Sequence, residues 1–243
     1  ITSFKIIGIT YLVLILIFTL FFYLKAPNIE SKENKNFRYF TLFENKLLRK
    51  FFIMFFYNAL AAAIPAVLIM FFVEKIINAA EYVGVFLMLY FIGLFIGVFI
   101  WSKLSKKIGD KVKTFLISML FTILIFSLCF FVNQGDILLY ALICFISGIG
   151  FGGDFTLSYS IMTDIIQEQK LNQNEASIFG ITNFLIKLSL SLTSGSLIYI
   201  MGILESVENL QHLFIKYSYI FLPIIFRLLA ALSLFKNFKI SRV

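Results

Sequence analysis

Apolar residues run through this chain in long stretches separated by short polar connections. Four stretches carry no Asp, Glu, Lys or Arg: 6–24, 51–73, 82–102 and 114–135. Each is 19 to 23 residues long, close to the ~20 residues that cross the hydrocarbon core of a bilayer. Three further stretches, 137–163, 176–204 and 217–235, are each interrupted by one charge: Asp154, Lys187 and Arg227 respectively. The pattern predicts an all-α polytopic membrane protein with seven transmembrane helices. One helix comes first (1–24), then a polar segment (25–50), a six-helix bundle (51–235) and a short tail (236–243). No internal sequence repeat is evident in the six-helix block, so any three-plus-three symmetry has to be structural.

Composition strengthens the membrane reading and narrows the function classes. Sixty per cent of the 243 residues are hydrophobic, 32 of them Phe, and 14% are charged. A soluble domain of this size has no use for so much apolar surface. The net charge of +8 matters through its placement. If the first helix runs outward to inward, the inner segments carry sixteen Lys and Arg and the outer ones three. That bias puts 25–50 and the C-terminus in the cytoplasm. It reports orientation and gives no sign of a nucleic-acid partner, because no basic face with interleaved aromatics lies outside the spans. Heavy use of Phe, Ile, Lys and Asn points to a bacterial source, and so to the cytoplasmic membrane. Cys129 and Cys144 fall inside spans and read as packing residues. The one histidine, His212, lacks the companions a metal or catalytic site needs. Without a nucleophile–base or metal constellation the chain does not read as an enzyme, and no cofactor is expected.

The charges inside the spans are the candidate chemistry. Lys187 lies about 17 Å along its span, near the midplane. Asn183, Ser191 and Ser194 share its face. This stripe reads as a substrate or ion pathway, with a structural ion pair as the alternative. Asp154 follows the glycine-rich Gly148–Gly153 and is expected about 26 Å along its span, near the inner edge. It reads either as a carboxylate at a bending point by the inner mouth of a cavity, or as the polar end of a helix in a tight crossing. Arg227 reads as a structural intramembrane charge that pairs or snorkels. Asn58 and Pro65 suit a kinked, cavity-lining helix, or Asn58 an interhelical hydrogen bond. Residues 101–114, "WSKLSKKIGDKVKT", form a basic connection with a tight turn at Gly109-Asp110.

The chain starts at Ile1, directly before a span, with neither a basic leader nor a small-residue cleavage site. An odd span count starting outside suggests part of a longer chain, with a six-helix N-terminal half missing. The loop with Gly109, Asp110 and Lys113 resembles the basic inner loop of major facilitator superfamily transporters, which helps hold their inner gate. "GIGFGGDFTLSYSIMTDIIQ" followed by "NEASIFGITNFLIKLSLSLTSG" is similar to the tenth and eleventh helices of the glycoside–pentoside–hexuronide:cation symporters, the melibiose-carrier group. "FENKLLRKFF" resembles that group's approach to its seventh helix. The resemblance covers the chain as helices six to twelve. It implies inner-gate roles for Asp164 and the Asn174-Glu175 turn, and places Lys187 as the eleventh-helix lysine. That turn reads "NQNEAS" where the group has Gly-x-Arg-x-Glu-Gly. The resemblance implies sugar:cation symport with Na+ or H+ by alternating access, with the acidic cation ligands in the first half. Other expectations are a major facilitator transporter of a lysolipid, drug or peptidoglycan fragment, or a non-transporting membrane scaffold.

Overall fold

A computed structural model describes residues 2–25 and 39–238, in two compact units, Ile1–Phe37 and Arg38–Val243. The first unit holds α1, Thr2–Lys25, a single helix with Lys25 in its last turn. Residues 26–38 of the polar segment and 239–243 of the tail lie outside the described residues. Among the described residues there is no strand, and seven helices are long and apolar enough to cross a membrane.

The second unit begins with α2, Tyr39–Glu44, and α3, Lys46–Phe72. The polar segment 25–50 is therefore helical from residue 39 onward, apart from Asn45. Asn45 starts α3 by accepting from the amides of Leu47 and Leu48 at 3.0 and 3.2 Å, which satisfies donors a helix start leaves open. α3 ends in a π turn, Val73–Ile77, closed by Asn78 in the left-handed region at φ 59°. α4, Val83–Ile108, ends at Gly109, whose φ of +71° suits glycine. Asp110 then caps α5, Lys111–Ser127, through the Lys113 amide at 2.9 Å. The tight turn expected at Gly109-Asp110 is thus a C-cap running straight into an N-cap.

The next helix differs from the expectation. α6, Ile137–Gly153, passes through a π turn, Asp154–Ser158, into α7, Tyr159–Glu168. The three form one 32-residue span, Ile137–Glu168, about 48 Å long. Asp154 lies near its middle, about 21 Å from the Glu168 end. The stop assigned from polarity at Thr163 came too early, and the polar residues from Asp154 onward stay helical. α8, Glu175–Ile203, and α9, Glu208–Asn237, complete the unit.

The six long helices pack as two exchanged triplets. α3, the first helix of the first three, lies against α8 and α9. α6, the first of the second three, lies against α4 and α5. This is the structural three-plus-three arrangement that the sequence itself does not repeat. The closest crossing is α4 on α6. Gly93 and Gly97 face the backbone of Phe145 and Ile149, while Gly148 and Gly152 face Tyr90, Leu94 and Gly97. A Cβ on Gly152 would lie 2.5 Å from the Gly97 carbonyl carbon, so the two Gly-x-x-x-Gly pairs make backbone contact possible. The outer faces carry Phe95 and Phe99 on α4 and Leu120 and Leu124 on α5, all exposed. A belt of that size fits lipid and not water.

Candidate functional site

The centre of the bundle is polar. Arg227, on α9, is 3% exposed. Its Nη1 donates to Asp154 Oδ2 of the π turn at 2.6 Å and to Asn58 Oδ1 of α3 at 2.5 Å. Its Nη2 donates to Thr122 Oγ1 of α5 at 3.3 Å, and its Cζ sits 5.7 Å from the Phe151 ring centroid. One guanidinium thus ties α9 to α3, α5 and α6. Three of these partners come from helices far apart in sequence, so the cluster exists only because the triplets exchange.

Local chemistry shapes the Asp154 side. The π turn leaves backbone carbonyls short of helical partners, and the Ser158 hydroxyl donates to the Asp154 carbonyl. Trp101 Nε1, from α4, donates to the Ile149 carbonyl at 2.7 Å. Gly150 and Gly153 leave room for Thr122 and Ser118 of α5. The glycines therefore serve the tight crossing, and the π turn begins beside it at Asp154. The tight-crossing reading of the glycine-rich stretch matches these contacts. The mouth position expected for Asp154 does not hold: it is 6% exposed and paired inside the bundle. Arg227 pairs and does not snorkel.

A cavity of about 310 Å³ opens beside this network. α3 lines it with Ala61, Ala62, Pro65, Ala66 and Ile69, and α4 with Leu87, Tyr90 and Phe91. Thr122 and Phe126 come from α5, Cys144, Ser147 and Phe151 from α6, and Tyr219, Pro223 and Arg227 from α9. Tyr219 and Arg227 mark its extent along α9, about 12 Å over two turns. Beyond Tyr219 an aromatic core fills the bundle. The Tyr140 and Tyr219 hydroxyls bond at 2.7 Å, Phe72 stacks on Tyr219 at 4.1 Å, and Phe86 meets Tyr140 edge-on at 4.9 Å. Cys129 and Cys144 are free and buried beside it.

The lysine-rich end has its own contacts. Lys111 Nζ pairs with Asp164 of α7 at 2.6 Å, both half-exposed. Asn45 Nδ2 donates to Gln169 Oε1 at 3.1 Å. The expected inner-gate residues thus separate: Gly109 and Asp110 build the turn, Lys113 contributes its backbone amide, and Asp164 takes Lys111 as partner. Lys111 was not singled out in the sequence, where it is one of five lysines in that connection.

Lys187 is elsewhere. The buried face of α8 is Ile178, Ile181, Thr182, Ser189, Thr193 and Leu197. Asn183, Lys187 and Ser191 lie on the opposite, exposed face, and Lys187 makes no ion pair among the described residues. The structure brings Asn58, Asp154 and Arg227 together and leaves Lys187, Asn183 and Ser191 as a separate stripe. Tyr90 and Thr122 are polar residues of the cavity that sequence reading missed. Each is an ordinary half-polar residue in an apolar span, with no signal of its own.

No curated protein and no solved structure matches the chain. A family model described as MFS/sugar transport protein matches residues 2–242. With seven apolar helices and an exchanged six-helix bundle around a central polar cluster, the chain belongs to the major facilitator superfamily, a family of transporters.

Proposed function

We propose that this chain forms the C-terminal part of a cation-coupled sugar transporter that works by alternating access with a second six-helix half. The observation that carries the reading is the cavity inside the bundle that ends at a buried, charged network. A scaffold has no need to keep an ion pair beside empty space in the membrane, where such groups are costly. Aromatic faces at Tyr90, Phe91 and Phe151 suit stacking against a sugar ring, and Arg227, Thr122 and Ser147 can meet its oxygens. The exposed stripe of Asn183, Lys187 and Ser191 supplies a charge for carboxylates of the other half. Binding of Na+ or H+ there would weaken the pairing and couple ion occupancy to rocking. The lysine-rich end, with Lys111–Asp164, is the inner gate in this reading and faces the cytoplasm of a bacterial cell.

One observation favours a second reading within the superfamily. Most of the cavity wall is apolar, including Ala61, Pro65, Ile69, Leu87 and Phe126. An amphipathic solute such as a lysolipid or drug would fit that wall.

Uptake by cells expressing the natural gene separates the two. Labelled glycosides should enter on a Na+ or proton gradient, and lysolipids or drugs should not compete. Lys187→Ala should abolish gradient coupling while the protein still reaches the membrane. Intact coupling in that variant would remove Lys187 from the mechanism. Uptake of lipids or drugs alone would overturn the sugar assignment.

A further inference from the structure

α4 presents two unlike faces. Gly93, Gly97 and Trp101 are its buried side against α6, and the Trp101 indole donates to the Ile149 carbonyl at 2.7 Å. The opposite side carries Ile92, Phe95 and Phe99, then Lys103 and Lys106, all exposed. Spacings of three and four residues keep these five on one face. The backbone contacts with α6 fix the rotation of α4, so the stripe stays outward. From Val83, where α4 begins, to Lys103 is about 30 Å, the thickness of a hydrocarbon core. From Ile92 to Lys103 is about 16 Å, the depth of one leaflet. Lys103 and Lys106 therefore leave the core at the level of lipid phosphates.

The charge at that level is not balanced from within. Lys107 and Lys113 are exposed beside the same turn. Lys103, Lys106, Lys107 and Lys113 make no ion pair among the described residues. Two carboxylates contact the turn, and both are engaged. Asp110 accepts from the Lys113 amide at 2.9 Å, with its other oxygen buried, and Asp164 takes Lys111. Five lysines against two carboxylates leave an excess of three positive charges. A zwitterionic headgroup would set its own cation among these ammonium groups, with neither carboxylate open to receive it. An anionic headgroup meets donors alone. The exposed stripe of α8 differs in where its charge sits. Lys187 lies mid-span, beyond the reach of a headgroup, and suits a charge on a protein partner. The α4 stripe is apolar along one leaflet and charged at its end, which matches the shape of a lipid.

We infer that this face of α4 binds an anionic phospholipid. Its phosphate sits among Lys103, Lys106 and Lys107, and an acyl chain lies along Phe99, Phe95 and Ile92. The positive-inside orientation puts these lysines at the cytoplasmic leaflet, where anionic lipid draws polybasic segments. The inference needs only the membrane placement of α4 and is independent of the solute.

The test uses the natural gene product in detergent micelles, with fluorescent phosphatidylglycerol as the probe. Unlabelled phosphatidylglycerol should displace the probe at least tenfold better than phosphatidylcholine does. Lys103→Gln, Lys106→Gln and Lys107→Gln together should weaken the probe at least tenfold, and the corresponding Arg triple should retain it. Lys75→Gln with Lys216→Gln, at the other end of the bundle, should leave it unchanged. A photo-cross-linking phenylalanine analogue at position 99 should capture the lipid. Equal displacement by the two lipids, displacement by tail-free glycerol phosphate as good as by phosphatidylglycerol, or full binding in the Gln triple would each overturn the inference. Capture of polypeptide at position 99, from a second half or a second copy, would overturn it as well.

Discussion

Removing one member of the Arg227–Asp154 pair leaves the other charged, buried and unpaired. Arg227→Met should therefore destabilise the bundle by about 3–5 kcal/mol, lowering the melting temperature by about 10 °C. Adding Asp154→Leu should recover most of that loss, since the remaining site is apolar. A thiol-reactive fluorophore can follow the unfolding, because Cys129 and Cys144 are both free and buried in the folded state. No loss in the single variant would mean that water or lipid reaches the pair. The two charges could be read from the sequence as unusual, but their pairing could not. Asp154 and Arg227 are 73 positions apart, on helices adjacent neither in sequence nor in the simplest up-and-down bundle. The helix also runs further than the apolar run suggested, past Thr163 to Glu168.

At the scale of elements, the α4–α6 crossing depends on missing side chains. Gly152→Leu has only backbone to push against at Gly97 and should separate the helices. We expect a cost of about 3 kcal/mol or more and loss of the folded species on size-exclusion chromatography. Gly202→Leu, on α8 with nothing within 4 Å, is the matched control and should behave as wild type. A tolerant Gly152 would contradict the crossing. The Lys111–Asp164 pair tests the lysine-rich end differently. Being half-exposed, it adds less than about 1 kcal/mol, so its loss should barely move the melting temperature. Lys111→Glu should instead alter the uptake rate, and adding Asp164→Lys should restore it. Equal rates in all three forms would remove this pair from the gate. The sequence disclosed these elements in unequal measure. Seven apolar runs marked the spans, and Gly109-Asp110 marked its turn, because length and turn chemistry are local. The π turn at Asp154–Ser158 and the pairing of Gly93 and Gly97 with Gly148 and Gly152 were not visible. Each depends on what the neighbouring helix presents.

For the whole molecule, the proposed function draws on two polar features that the fold keeps apart. The Arg227 network lies inside the six-helix unit at the end of a cavity, and the Lys187 stripe lies on its exposed face. Sequence reading chose Lys187 as the coupling charge because its helix shows a polar stripe at helical spacing. It treated Arg227 as structural because small apolar residues surround it in sequence. Within this unit Arg227 is the charge that lines the cavity. An inner cluster and an outer stripe on one bundle suit a machine in which solute occupancy inside changes pairing with a second half outside. Its central requirement is that solute movement draws on an ion gradient. The direct measurement is accumulation of labelled glycosides in proteoliposomes made with the natural gene product, under imposed Na+ or proton gradients. The account predicts accumulation above equilibrium that collapses when an ionophore dissipates the driving gradient. Equilibration at the same rate with and without gradients, or no uptake of any sugar, would contradict it.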